Sequence, residues 1–310
     1  MINLEKKFSI DEVTKFHRES GKIAHAAQKF ALKEANVGMK YLDLAEKVEG
    51  KIIELGGEIG FPINLSRNDE AAHYTPGIED ERVIDASDVI KVDLGVHING
   101  FIADCAFTLD VSGENDKLVD ASRNALLAAI DMIKPGVTNR QVGKTIEKTI
   151  TSAGFKPISN LCGHAVKRFH LHAGISIPNI EAGNYTFKEG DVFACEPFAT
   201  DGAGSVTDGD SVEIFSVMGS LKARIPTARK VGEVISGEFP MLPFARRHVA
   251  RKMPELSNYS VSAAFLELVK NGGLHAYPTL MEDGNGQVSQ FETTLIVTKD
   301  GCEPFIPIID

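Results

Sequence analysis

The sequence of 310 residues has no tryptophan and four scattered cysteines, none of them in a C-x-x-C pair. The missing pair argues against a zinc ribbon, and scattered cysteines in a chain of this length argue against a disulfide framework. We therefore expect buried, reduced thiols, with Cys105 and Cys195 packed as small apolar residues of the core. The full set is Cys105, Cys162, Cys195 and Cys302.

Long hydrophobic runs are also absent. No apolar stretch approaches the roughly 20 residues of a membrane-spanning helix. The N-terminal segment MINLEKKFSIDEV has no apolar core of the signal-peptide type. Hydrophobic residues are 43% and charged residues 25% of the chain, as in ordinary globular proteins. We expect a cytoplasmic protein of one large or two modest domains, with no membrane partner.

Positive charge is scarce, because the formal net charge is -10. A body this acidic is a poor general binder of nucleic acid. Residues 218–271, hereafter the basic insertion, differ: nine Lys/Arg and four Asp/Glu give +5, which leaves -15 for the rest. The insertion looks helical and is punctuated by prolines. We predict a main domain of residues 1–217 and 272–310, with 218–271 as an inserted helical subdomain.

Helix and strand signals occur in the same order twice. Capping boxes at Ser9-x-x-Glu12 and Thr138-x-x-Gln141 each predict the start of a helix. In each half two helices precede strands, which extend to about residue 111 in the first half and 207 in the second. The helices are predicted at about 9–36, 42–55, 115–134 and 138–153.

The two halves also share a short motif. An acid follows the dipeptide Asp-Val at the same offset in DVIKVD, which ends at Asp93, and in DVFACE, which ends at Glu196. We interpret this match as a duplicated unit, in which Asp93 and Glu196 occupy related positions around a central cleft.

Residues 89–111, VIKVDLGVHINGFIADCAFTLDV, predict a β-hairpin. Asn99-Gly100 between two alternating runs is the signal of a two-residue type I′ turn. This turn places Ile98 opposite Phe101 and makes one face wholly apolar, which assigns that face to the core. The other pairs on it are Val96 with Ala103, Leu94 with Cys105, and Val92 with Phe107.

The opposite face of the hairpin carries two aspartates. Gly95 pairs with Asp104 in this register, and Asp93 pairs with Ala106. The two carboxylates are then diagonal neighbours, roughly 7–8 Å apart at Cα, and need a proton, a base or a metal between them. We expect Gly95 and Ala106 to leave room above the sheet. The alternative is a solvated face of an edge hairpin, for which two such small residues are poor choices.

More acids and histidines lie in strand-like surroundings. Glu196 in VFACEPF and Glu292 in QFETTLIV are isolated within apolar runs, and His164 lies in LCGHAV. Four carboxylates and one histidine make an oxygen-rich set that suits two hard or borderline cations. Two divalent ions would balance four negative charges, whereas one would leave two uncompensated.

Two further histidines, His73 in AAHYTP and His172 in HLHAG, are not needed to complete that set. The local pattern does not rank His172 above His170, because the two share one face if the segment is extended. We expect structural roles for His17, His25, His97, His170, His248 and His275.

Together these motifs resemble methionine aminopeptidases, over nearly the whole chain. The helical insertion before Glu292 and the segment AAHYTP at 71–76 resemble the type 2 branch. The short N-terminus, without a long charged extension, resembles its archaeal-like form. The matching motifs are Asp93, Asp104, GH at 163–164, HAG at 172–174, EPF at 196–198 and QFE at 290–292.

The resemblance implies an α/β (α+β) "pita-bread" fold of the creatinase and aminopeptidase type, with a pseudo-twofold axis and a helical insertion in its second half. It makes 1–217 and 272–310 the metallopeptidase domain, which binds two divalent ions of manganese, iron(II), cobalt or zinc. The implied ligands are Asp93 to one ion, Asp104 and Glu292 to both, and His164 and Glu196 to the other.

The implied reaction removes the N-terminal methionine from nascent proteins and peptides with a small second residue. The implied catalytic residues are His73, His172 and Glu196. The implied substrate-binding residues are Phe61, His73, Leu171, His172 and Tyr277. A cytoplasmic monomer without a specific nucleic acid partner is expected.

Two alternatives compete with this interpretation. Prolidases and X-Pro aminopeptidases share the fold and a similar ligand set, but usually carry a large N-terminal domain and lack the insertion. A non-catalytic relative that binds ribosomes or RNA would use the basic cluster Arg246, Arg247, Arg251 and Lys252. We interpret the cluster as a solvated helix face near an acidic body, and the intact ligand set favours an enzyme. We keep the ribosome as a candidate partner, which the active enzyme would approach through this basic cluster.

Overall fold

The computed structural model describes residues 8–309, so the first seven residues of the segment assessed for a signal peptide lie outside it, as does Asp310. The α-helices are α1 Ile10–Glu34, α2 Tyr41–Glu54, α3 Asp116–Met132, α4 Asn139–Ser152, α5 Pro226–Glu238, α6 Arg246–Lys252 and α7 Asn258–Lys270. Among the described helices, none combines the length and the apolar character needed to cross a membrane.

The strands fall into three groups along the chain. The first half contains β1 Glu58–Arg67, β2 Glu70–Ala72, β3 Val89–Ile98 and β4 Phe101–Asp110. The second half before the insertion contains β5 Lys156–Pro157, β6 Cys162–Ala165, β7 Ser176–Pro178, β8 Val192–Cys195, β9 Phe198–Thr200 and β10 Val206–Val217. Then come β11 Phe244–Ala245, β12 Leu274–Glu282, β13 Val288–Gln290, β14 Glu292–Val297 and β15 Cys302–Pro304.

Both predicted capping boxes open helices. The Ser9 hydroxyl accepts a hydrogen bond from the backbone N–H of Glu12, and the Glu12 carboxylate accepts one from the Ser9 N–H at 2.9 Å. Thr138 and Gln141 make the same pair of contacts at the start of α4. The first four helices thus begin and end within about two residues of the predicted limits.

An antiparallel sheet of eight strands forms the centre of the molecule, in the order β1-β3-β4-β14-β8-β6-β7, with β15 paired to β14. The first half of the chain forms one side of this sheet with β1, β3 and β4, in order from the edge inward. The second half forms the other side with β6, β8 and β14, also in order inward, so that β4 and β14 pair in the middle. This order has the pseudo-twofold symmetry expected from the duplicated halves.

The Asp-Val motifs occupy equivalent places in the two halves. Asp88, just before β3, accepts hydrogen bonds from the Tyr41 hydroxyl at 2.8 Å and from the backbone N–H three residues earlier at 2.9 Å. Asp191, just before β8, accepts from the Tyr185 hydroxyl at 2.7 Å and from the N–H three residues earlier at 2.9 Å. The shared motif therefore marks the same turn into the sheet in each half.

Helices cover the central sheet and two small sheets complete the body. Helix α1 packs on β3 and β4, α2 on β1, and α4 on β5 and β7. The small sheets have the orders β11-β10-β12-β2 and β13-β9-β5. Most buried apolar side chains of the helices and the central sheet belong to one continuous core.

The basic insertion forms α5, α6 and α7 around a second hydrophobic cluster that includes Val231, Phe244 and Phe265. It also forms strand β11, which the sequence did not predict and which pairs with β10 through Ala245 and Ile214. Strand β10 continues to residue 217, beyond the predicted end at 207. Two apolar clusters and a shared small sheet are compatible with the predicted division at 218–271, which stays a prediction.

Each side chain of the basic cluster is paired with a carboxylate. Arg247 is only 1% exposed, so the prediction of a solvated helix face is wrong for this residue. A buried guanidinium keeps its charge and requires a partner, which sequence periodicity does not reveal. The ion pairs are Arg246 with Glu213, Arg247 with Glu49, Arg251 with Glu46, and Lys252 with Glu238.

Candidate metal centre

The hairpin of residues 89–111 has the predicted turn and register. Asn99 and Gly100 have φ values of 53° and 85°, as a type I′ turn requires. Asp93 lies opposite Ala106, and Gly95 lies opposite Asp104. Because side chains alternate along a strand, both aspartates project from the same face.

Three other segments bring their side chains to this face. Ala106 lies opposite Glu292 of β14 on its other side, so Asp93, Ala106 and Glu292 form one row across three strands. His164 lies in β6, and Glu196 directly follows β8. All five predicted ligands thus meet near the middle of the central sheet.

The distances between these groups are short. His164 Nε2 lies 3.5 Å from Asp104 Oδ2 and 3.6 Å from Glu196 Oε1. One possible ligand atom from each of Asp104, His164 and Glu292 lies within 4.8 Å of the other two. The Gln290 side-chain amide donates to Asp93 Oδ2 and to Glu292 Oε2, each at 3.4 Å, and so joins Asp93 to the cluster.

The chemistry of the cluster fits divalent cations. Burial raises the pKa of Asp93 to about 7. Burial and the neighbouring carboxylates raise the pKa values of Asp104, Glu196 and Glu292 well above the usual range. Burial lowers the pKa of His164 to about 3, which leaves its imidazole neutral and able to bind a metal.

Several of the carboxylate oxygens also lack partners within the protein. The buried atoms Asp93 Oδ1, Asp104 Oδ1 and Glu292 Oε1 make no hydrogen bond in the described part of the chain. Unsatisfied buried acceptors are costly, and cations supply the missing interaction. The residues present therefore fit a metal centre.

A cavity of about 400 Å³ opens above the cluster. Its wall contains every residue that the sequence pointed to for the site: Phe61, His73, Asp93, Asp104, His164, Leu171, His172, Glu196, Tyr277 and Glu292. The cavity wall therefore combines apolar side chains with carboxylates.

The cavity supplies room above this face of the sheet, but the space directly above Gly95 holds the Phe61 ring. A β carbon at Gly95 would come within 2.4 Å of the Phe61 ring. The glycine makes room for an aromatic ring that enters from β1, which was invisible in the hairpin sequence. Ala106, at 2% exposure, is likewise buried.

Two predicted histidines lie beside the candidate metal ligands. The His172 ring centroid is 4.5 Å from that of His164, and His73 meets the Tyr277 ring edge-on at 5.8 Å. His73 has a φ of 65°, in the left-handed region that residues other than glycine rarely adopt. Burial and the adjacent His172 lower its pKa to about 4, so His73 is neutral near pH 7.

The fold decides between His170 and His172. His172 lines the cavity, whereas the wall does not include His170. His17 has the expected structural role: its ring stacks on Phe305 at 5.0 Å, and its Nδ1 lies 2.9 Å from the Ile102 carbonyl oxygen. His275 contacts the Tyr277 ring edge-on at 4.5 Å, close to the site.

Sequence reasoning missed several residues of the site. Gln290 was noted only as part of a motif, and Asn64 and Cys162 line the cavity without any role having been predicted for them there. Cys162 is exposed, so the expectation of a buried thiol is wrong there, while Cys105 and Cys195 are buried and free. The one signal in the sequence for Cys162 was its place on the same strand as His164, two residues earlier.

Comparisons with known proteins find related metallopeptidases. A family model described as metallopeptidase family M24 matches residues 15–218. The chain is 47% identical over 284 residues to a methionine aminopeptidase of Pyrococcus abyssi, covering 91% of this chain and 95% of that protein. It is 45% identical over 286 residues to a methionine aminopeptidase of Methanocaldococcus jannaschii, covering 92% and 95%.

Solved structures share the fold at lower identity. A thermophilic Arx1 superposes with a TM-score of 0.83 at 19% identity and covers 98% of this chain and 93% of its own. A methionine aminopeptidase from Thermotoga maritima superposes with a TM-score of 0.69 at 22% identity, covering 98% and 99%. At these identities the likeness concerns the fold alone.

Proposed function

The chain belongs to metallopeptidase family M24, among its methionine aminopeptidases, and we propose that its carboxylate cluster binds two divalent ions. The family membership establishes a metal-dependent hydrolase that removes the N-terminal methionine from peptide chains, and a pita-bread fold. The number of ions, their ligands and the roles of the other residues form the proposal.

The charge of the cluster supports two ions. Four carboxylates, two buried and two partly buried, and a neutral imidazole carry four negative charges, which two divalent ions would neutralise. The proposed ligands are Asp93, Asp104, His164, Glu196 and Glu292. An oxygen-rich set with one imidazole suits manganese, iron(II), cobalt or zinc.

Three side chains near the ions have different roles in the reaction. Divalent ions at such a site lower the pKa of a bound water and polarise the carbonyl of the first peptide bond. His172, a neutral donor beside His164, stabilises the developing negative charge on that carbonyl oxygen. His73 contacts the nitrogen of the departing amide. Glu196 carries a proton to the leaving amine.

The cavity wall accounts for the choice of the first residue. Phe61, Leu171 and Tyr277 give an apolar surface beside the carboxylates, which matches a methionine side chain. We propose that the crowded site admits only small second residues, as in the type 2 branch. We also propose a cytoplasmic monomer that acts on nascent proteins.

The single observation that carries the proposal is the convergence of Asp104, His164 and Glu292, each with a possible ligand atom within 4.8 Å of the others. Asp104→Asn and His164→Ala should abolish turnover of Met-Ala-Ser and reduce bound metal measured by elemental analysis. Asp120→Asn, at an exposed ion pair of α3, is the control and should change neither. Full activity with metal retained in the first two variants would refute the ligand assignment.

A pair of substrates separates this function from that of a proline-specific peptidase. The wild-type enzyme should cleave Met-Ala-Ser and leave Ala-Pro intact. Preferential cleavage of Ala-Pro would favour a prolidase-like specificity on the same fold.

A further inference from the structure

Arg247 of the basic insertion is the largest fully buried side chain in the described structure. A guanidinium is a cation, so its burial requires specific partners. Nη1 donates to Thr75 Oγ1 at 2.6 Å and to the Pro76 carbonyl at 3.0 Å, and Nη2 donates to Glu49. One side chain of α6 therefore joins α2 to the loop that follows His73.

Glu49 extends this connection to strand β1. Its Oε1 accepts a hydrogen bond from the Ile63 backbone N–H at 3.2 Å, and its Oε2 lies 3.0 Å from His248 Nε2. Burial acts to raise the pKa of Glu49, but the charges of Arg247 and His248 outweigh it and lower the pKa to about 2. Glu49 is therefore a carboxylate at neutral pH and a strong partner for Arg247.

This connection reaches β1 at the point where the pairing of β1 with β3 is interrupted. The register between β1 and β3 shifts between Phe61 and Asn64, so Ile63 has no partner on β3. Its N–H goes to Glu49, and its carbonyl accepts a hydrogen bond from Thr75 Oγ1 at 2.6 Å. Both ends of this bulge, Phe61 and Asn64, line the metal cavity.

The same connection also holds the segment that follows His73, which is hydrogen-bonded to β1 beside the bulge. His73 has a left-handed φ of 65°, which persists only where neighbouring residues fix the backbone. Tyr74 donates its N–H to Ser66 Oγ at 3.2 Å, and the next two residues, Thr75 and Pro76, accept hydrogen bonds from Arg247. The chain after His73 is thus anchored on the insertion.

We propose that Arg247 is a positioning residue of the active site, which sets the place of His73 relative to the Phe61–Asn64 bulge. The inference rests on the role of His73 in the proposed function. It makes the basic insertion a working part of the catalytic site, because the insertion supplies the cation to which both the bulge, through Glu49, and the segment after His73 are attached.

Arg247→Lys tests this proposal, because lysine keeps the charge and loses the guanidinium fork. The matched control is Arg251→Lys in the same helix, whose ion pair with Glu46 is exposed on both sides. Steady-state kinetics on Met-Ala-Ser are measured at full metal loading, with metal content and melting temperature. We expect kcat of Arg247→Lys to fall on the order of tenfold, more than KM changes, with metal content intact. Arg251→Lys should match wild type.

A folded, metal-loaded Arg247→Lys with kcat close to wild type would overturn the proposal. If this variant does not fold, Thr75→Val takes its place. It removes the Oγ1 that contacts both Arg247 and Ile63, and keeps the Arg247–Glu49 pair. The same loss of kcat is expected, and unchanged kinetics would again overturn the proposal.

A double-mutant cycle with His73→Ala separates this inference from the proposed function. If Arg247 acts through His73, the double variant should be no slower than His73→Ala alone. Multiplicative losses would show that Arg247 acts elsewhere and would overturn the inference. If His73→Ala has the kcat of wild type, the proposed role of His73 is refuted, and so is this inference. A loss in His73→Ala without one in Arg247→Lys would refute the inference alone.

Discussion

The ring of Phe61 lies against Gly95 so closely that a β carbon there would come within 2.4 Å of its Cδ1 and Cε1. Gly95 is opposite Asp104 in the hairpin, and Phe61 lines the cavity above the proposed metal ligands. The absence of a side chain at residue 95 therefore decides where the Phe61 ring lies in the wall of this cavity, the proposed substrate pocket.

Gly95→Ala should displace the Phe61 ring and weaken binding of the methionine side chain. We expect kcat/KM on methionyl peptides to fall on the order of tenfold, mainly through KM, with metal content unchanged. Gly237→Ala in α5 is the control, because no heavy atom lies within 4 Å of a β carbon there. Equal kinetics for both variants would contradict a role of the Phe61 position in specificity.

His172→Ala should lower kcat on the order of a hundredfold, because it removes one donor to the developing oxyanion. Metal content should stay at the wild-type level. His170→Ala is the matched control two residues away, outside the cavity wall. If His172→Ala loses metal, His172 is a ligand and its assignment as an oxyanion donor is wrong.

Without bound metal, the negative charge on Asp93 should destabilise the folded protein. Burial raises its pKa from 3.8 to about 7, so in the metal-free protein Asp93 lowers stability progressively as the pH rises from about 3.8 to about 7. Metal-free Asp93→Asn should therefore match wild type near pH 4 and exceed its unfolding free energy by on the order of 4 kcal/mol at pH 8. Denaturant unfolding after chelation measures both.

Added divalent metal should reverse the order of stability between wild type and Asp93→Asn. Ligand binding stabilises only the state that binds, so wild type should gain more stability from divalent ions than Asp93→Asn. A variant that responds to metal as strongly as wild type would argue against Asp93 as a ligand.

Glu49→Gln should destabilise the protein by about 3 kcal/mol near neutral pH, because it leaves the Arg247 charge buried without a carboxylate. The pKa of Glu49 is lowered from 4.5 to about 2, so its contribution is complete above pH 4.5 and is lost as the pH falls toward 2. The difference between variant and wild type, measured by denaturant unfolding after chelation, should shrink over that interval.

Glu46→Gln is the control for Glu49→Gln. Its partner Arg251 is exposed, and exposed ion pairs contribute roughly 0–1 kcal/mol. A similar loss of unfolding free energy in both variants would show that burial does not make the Glu49 pair more stabilising than the exposed pair.

The hairpin register and the starts of two helices could be predicted because their causes are local. Asn99-Gly100 fixes the pairing of the twenty residues around it, so Asp93 and Asp104 had to share a face. Capping at Ser9 and Thr138 involves contacts only three residues apart. The gathering of Glu196, Glu292 and His164 around that face was predicted by family resemblance, since no local pattern brings distant strands together.

The sequence by itself determined the two-strand frame of the site, the helix starts and the family to which the chain belongs. The tertiary structure alone decided that Phe61 fills the space over Gly95, that Cys162 is exposed in the cavity, and that Arg247 is buried. The physical reason is separation along the chain. Arg247 and Glu49 are 198 residues apart, and such pairings depend on how whole elements pack, which local periodicity does not encode.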